Sequence, residues 1–190
     1  MNGPDRHSLR ALRLAELLAA PAQGAAASDP NRPLLASIVA GQASGDGCLP
    51  ADLGLGHRAA SHLLATYFPG CRIRGLERAI EAIPEWGDLQ TLLLANRARC
   101  QPSELLLASI LATACAGHNH LWQDLGLATR DELSRLMWIN FPGLARANTG
   151  DMKWKKFIYR QFCSNEGIYV CPAPSCGVCA DYATCFGPEN

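Results

Sequence analysis

Leu105 to Ala116 reads LLLASILATACA, twelve residues without a charge. A membrane-crossing helix needs about 20 apolar residues, so this run is expected as a buried helix in a helical core. Ser103 is a candidate N-cap for it, since a serine hydroxyl accepts an orphan N–H of the first turn, and Gly117 is expected to end it. Further along, Thr129-Arg130-Asp131-Glu132 has capping-box spacing, and the helix it opens carries Leu133, Leu136, Met137 and Trp138 before Phe141-Pro142-Gly143. Met152 to Cys163 is the last expected helix. Its apolar side holds Trp154, Phe157, Ile158 and Phe162, while Lys153, Lys155, Lys156 and Arg160 fall largely elsewhere, as a solvated face or a dock for an acidic partner.

Toward the N-terminus, Glu85 to Arg97 resumes helical character after the Ile83-Pro84 break, with Leu89, Leu92, Leu93 and Asn96. His57 to Tyr67 is helical by its Leu63, Leu64 and Tyr67 spacing, and Phe68-Pro69-Gly70 stops it. Gly45 to Gly56 is turn-rich, Leu34 to Gly41 is a short helix, and the Ala/Gly/Ser/Pro stretch Pro21 to Pro33 reads as a loop or tether. Leu9 to Ala20 resembles a secretory leader superficially, but Glu16 interrupts its apolar run, and a basic amphipathic helix is the simpler reading. With no internal repeat and no alternating strands, the expected fold is all-α: a single helical domain with an irregular cysteine-rich, metal-binding C-terminal tail. The expected divisions are an N-terminal helix and tether over 1–33, a helical domain over 34–166 and the tail over 167–190.

A chain of 190 residues buries roughly 70% of its unfolded surface, so no metal is needed merely to make a core. Seventeen basic residues against 17 acidic ones remove the electrostatic case for a nucleic-acid or membrane binder. No phosphate loop, dinucleotide glycine pattern or nucleophile triad argues for a turnover enzyme.

Nine cysteines exceed what packing needs. Their odd number, without a leader, points to a reducing cytoplasm, where clustered cysteines hold metal more often than they pair. Cys171, Cys176, Cys179 and Cys185 follow the pattern C-x4-C-x2-C-x5-C in a segment that also holds Pro172, Pro174 and Gly177. Such a segment lacks the periodicity to aim four thiols into a core. Thiolates select zinc, copper(I) or iron–sulfur species. Only Cys176 and Cys179 form the close pair usual in structural zinc sites, whereas the uneven outer loops suit a larger iron–sulfur cluster. Spacing favours iron–sulfur and leaves zinc open. Residues 171–190 contain Asp181 and Glu189 but no Lys or Arg, so metal would be what fixes four thiolates there. Among the other cysteines, Cys115 is expected in the core, Cys71 and Cys100 as structural, Cys48 in a loop, and Cys163 near enough to the tail to approach its site. His118 and His120 occupy a non-helical junction, either as loop residues or with His120 as an imidazole ligand to a metal centre.

Four stretches resemble the NifQ family of nitrogen-fixation proteins: HLWQDLGL (120–127), RDELSRLM (130–137), MKWKKF (152–157) and the tail from Tyr159 to Glu189. The tail likeness includes Tyr169-Val170-Cys171, Pro174-Ser175-Cys176, Cys179, Asp181-Tyr182 and Cys185-Phe186-Gly187-Pro188-Glu189, and it is clear from about Leu89 onward. The resemblance implies an iron–sulfur and molybdenum carrier that supplies molybdenum for the nitrogenase iron-molybdenum cofactor and is not an enzyme. It implies a mixed molybdenum–iron–sulfur cluster on Cys171, Cys176, Cys179 and Cys185. It also implies a cofactor-assembly scaffold and the nitrogenase iron protein as partners, in the cytoplasm.

Overall fold

The computed structural model describes residues 5–165, with side chains through Gln161. All regular structure among the described residues is helical. The short helix expected at Leu34–Gly41 extends at both ends: α3 spans Arg32–Ser44, with Pro33 in its first turn and Gly45 as a left-handed cap at φ 95°. Every residue from Leu34 to Ser44 is buried, so α3 is enclosed on all sides. Small side chains permit this closeness: a Cβ on Gly41 would overlap the Gly126 carbonyl. The apolar run at 105–116 forms most of the second central helix, α6 (Ser103–Ala114), where Leu107, Ala108, Ile110 and Leu111 have no exposure while Leu105 is 50% exposed.

The other helices pack around this pair. α1 (Arg6–Ala19) lies against α3, α5 (Trp86–Ala95) against α6, and α10 (Trp154–Asn165) against α5. α7 (Leu121–Asp124) packs on α8 (Arg130–Asn140), which packs on α9 (Pro142–Ala147). α4 (His57–Tyr67) has the expected bounds and contacts α2 (Gly24–Ser28).

That α2 corrects the sequence reading, which made all of Pro21 to Pro33 a loop or tether. Asp29 and Asn31, turn formers by type, are instead buried in a polar knot. The Asn31 amide donates to Asn140 Oδ1 (2.6 Å) and Ser103 Oγ (2.8 Å), the Asn140 amide donates back to Asn31 Oδ1 (2.7 Å), and the Tyr67 hydroxyl donates to Asp29 Oδ2 (2.9 Å). Arg32 donates to the carbonyls of Leu17, Leu18 and Ala20, satisfying the C-terminal end of α1.

The knot also explains why Ser103 is not the cap of α6: its hydroxyl is committed to Asn31. Glu104 does the work at this end instead, accepting the backbone N–H of Arg99 (2.7 Å), Cys100 (2.8 Å) and Gln101 (2.9 Å) while 1% exposed. At α8 the capping box is half as expected. Thr129 Oγ1 accepts the Glu132 N–H (3.2 Å), but Glu132 reaches one residue further back, to the Ala128 N–H (2.7 Å), and also accepts the Ser37 hydroxyl (2.9 Å).

Candidate functional site

Lys155 lies in the first turn of α10, and it is buried at 6% exposure rather than on a solvated basic face. Its ammonium donates to Asp124 Oδ2, to the Gly117 carbonyl (3.0 Å) and to the Asn119 carbonyl (2.9 Å). Asp124 is fully buried at the end of α7, and its carboxylate also accepts the Asn119 N–H at 3.1 Å. Its backbone carbonyl accepts the Cys48 N–H at 2.9 Å. A buried ion pair loses hydration on both partners and is poor evidence of net stability, but it fixes geometry firmly when every donor and acceptor is used. What it fixes here is the loop 117–120, which carries both histidines. Gly117 is obligatory in that loop, since a Cβ there would overlap the Asp124 carboxylate.

The helical period does carry a signal for Lys155. It stands three and four residues before Ile158 and Tyr159, both buried, so its position belongs to the inner stripe even though its residue type does not. Asp124 had no comparable signal, because a four-residue helix is too short to show a period.

Next to the clamped loop is a cavity of about 660 Å³. Its walls are Gly47 and Cys48, the segment 78–85, which has no regular structure, and Ala116, Gly117 and His118. Cys48, which as a loop residue said little in the sequence, is therefore a cavity residue. Its thiol points to the Ala114 carbonyl at 3.8 Å, and burial, helped by the charge of Asp124, pushes its pKa up to about 12. Cys115 is in the core as expected, 1% exposed and likewise pushed by burial to about 12. Cys71 is half-buried and Cys100 exposed. His118 is exposed at the cavity rim, and the backbone N–H of half-buried His120 donates to Gln123 Oε1 at 3.1 Å.

Among the described residues no group of three or more His, Cys, Asp and Glu side chains is placed to hold a metal ion. Cys171, Cys176, Cys179 and Cys185, and the side chain of Cys163, lie outside the described residues. The described region thus supplies a clamped histidine loop and a cavity with a thiol in its wall.

The family model for NifQ matches residues 34–187, a span that holds both the clamp and all four tail cysteines. The chain belongs to the NifQ family. It is 41% identical to Protein NifQ of Azotobacter vinelandii over 84% of this chain and 89% of that protein. It is 40% identical to Protein NifQ of Rhodobacter capsulatus over 77% of this chain and 82% of the relative. Protein NifQ of Klebsiella pneumoniae is 48% identical over 42% of this chain and 48% of its own length. No solved structure matches the chain. The NifQ match begins well before Leu89, where the sequence resemblance becomes clear, because residues 34–88 carry small and apolar packing residues rather than a conspicuous chemical motif.

Proposed function

We propose that Cys171, Cys176, Cys179 and Cys185 hold an iron–sulfur species that carries molybdenum, and that the chain hands this cargo on during assembly of the nitrogenase iron-molybdenum cofactor. NifQ family membership supports the delivery role, as a donor rather than a turnover enzyme, and the match extends through all four cysteines. That extent is the observation that carries the reading. The thiolates are soft ligands for iron, and the sulfides of an iron–sulfur species are in turn soft ligands for molybdenum. If fewer than four thiolates bind iron, one position is left for the molybdenum. The NifQ resemblance implies the partners: a cofactor-assembly scaffold that accepts the cargo, and the nitrogenase iron protein. Lys153, just before α10, and Arg160, within it, would help orient an acidic partner. Among the described residues no helix is long and apolar enough to cross a membrane, and we place the chain in the cytoplasm with its partners.

The test is anaerobic purification followed by analysis for iron, sulfide and molybdenum. The intact chain is expected to be brown and to contain all three. Cys176→Ala is expected to lose them. Zinc in place of iron, or a colourless metal-free preparation that fully supports nitrogenase maturation, would overturn the carrier reading.

A further inference from the structure

Glu85 is a charged wall residue that the described fold leaves unused. It stands at the N-cap position of α5, where a carboxylate can accept the orphan N–H groups of its own helix, yet its side chain makes no capping hydrogen bond. Its Oε2 is instead buried without a hydrogen-bond partner among the described residues. An open buried acceptor costs stability, and a ligand that brings a donor removes that cost.

The cavity that Glu85 lines has the makings of a ligand site. Its volume of about 660 Å³ lies in the range of small-ligand clefts. Ile80, Ile83, Pro84 and Ala116 make much of the lining apolar, and Glu81, exposed to solvent, adds a second carboxylate. Arg78 is the lining's one guanidinium, and it is turned to the wall's own backbone, donating to the carbonyls of Asp46 (3.4 Å) and Gly47. The charges behind the wall are already in pairs: Asp46 with Arg10 at 3.3 Å, and Asp124 with Lys155. Two carboxylates against one committed guanidinium leave the lining with an excess of negative charge.

Charge and lining together select the ligand. An anion would meet two carboxylates and find the Arg78 donors taken. A bare metal ion would find no group of three His, Cys, Asp or Glu ligands among the described residues, and it would leave the apolar lining uncovered. We propose that this cavity binds an organic cation, a protonated alkylamine or alkylguanidinium, whose charged head donates to Glu85 and whose apolar stem lies along Ile80, Ile83 and Pro84. Such a ligand is amphipathic in the way the lining is. A free amine and the lysine or arginine side chain of a partner protein both offer that chemistry. The site goes beyond the carrier reading and does not depend on it.

The test titrates the full-length chain with pentylamine, with 1-pentanol as a neutral probe of the same stem, and with a blocked alanine–lysine–alanine tripeptide. Binding is followed by calorimetry and by amide chemical shifts. Pentylamine is expected to bind with a Kd of about millimolar or tighter, and 1-pentanol at least about tenfold more weakly. The shifts are expected at 47–48, 78–85 and 116–118. Glu85→Gln is expected to weaken pentylamine about tenfold without lowering the thermal midpoint, because the native carboxylate makes no hydrogen bond that the change would break. Glu81→Gln, at an exposed position, is expected to weaken it less. A tripeptide that binds more tightly than pentylamine assigns the site to a partner's side chain, and one that binds no more tightly assigns it to a free amine. Equal affinity for pentylamine and 1-pentanol, full affinity in Glu85→Gln, shifts confined to other segments, or no binding of either amine overturns the proposal, and each leaves the carrier reading intact.

Discussion

Lys155 is the residue at which charge and burial conflict most sharply. Truncating it to Met leaves Asp124 a buried carboxylate that has lost its cation, and breaking such a pair costs about 3–5 kcal/mol. Lys155→Met is therefore expected to lower the urea midpoint strongly. Lys155→Met combined with Asp124→Leu is expected to cost less than the sum of the single changes, because the doubly altered site has no orphaned charge; a double-mutant cycle measures the difference. The buried thiols give a separate pH signature. Cys48 and Cys115 sit at about 12 against an ordinary 9.0, and Tyr67 at about 12 against 10.0, all pushed up chiefly by burial. These groups keep their protons in the folded state after the unfolded chain has lost them. Their contribution to stability is complete below pH 9 and is lost as pH rises from about 9 to about 12. Denaturation midpoints measured across that window should fall, and Cys115→Ala should make the fall shallower. Tyr67, held to Asp29, illustrates how the sequence conceals such groups: its helical spacing shows that it is buried, but not that a residue from the expected tether will meet its hydroxyl.

Element boundaries were legible where local chemistry set them and illegible where tertiary contacts did. α4 begins and ends as its apolar spacing and the Phe68-Pro69-Gly70 stop imply, since both signals lie within the helix and its next residues. Ser103 failed as a cap because Asn31, 72 positions away in sequence, takes its hydroxyl. The charge three residues downstream of Gln101 then caps the loop from inside the helix. Glu104→Ala is expected to leave three backbone N–H groups without their acceptor and to cost about 3 kcal/mol. Glu104→Gln keeps one carbonyl oxygen as an acceptor and should cost less. Chemical denaturation of both variants checks the order, and equal losses would show that the carboxylate's second oxygen and charge contribute nothing. The four tail cysteines present the opposite case from Ser103. Their expected role as metal ligands comes from residue type and short loop lengths, which a sequence displays, and spacing leaves iron–sulfur and zinc both open; the clamp and cavity required the fold to bring 47–48, 78–85, 116–124 and 155 together.

At the scale of the molecule, the helical body closes its core without the four sulfurs. α3 is enclosed, α6 buries most of its surface, and the polar knot and the Lys155 clamp each find their partners within the described residues. A carrier benefits from that separation, because cargo can then leave without unfolding the protein that held it. Ending the chain after Asn165 should accordingly preserve the helical circular dichroism spectrum and a cooperative thermal transition. It should also abolish uptake of iron and sulfide. In the intact chain, by contrast, uptake should release protons as thiols become metal-bound thiolates, so retention should weaken as pH falls. If the shortened chain lost its cooperative transition, the tail would be part of the folding unit, and release of cargo would have to carry a cost in stability that a closed helical body avoids.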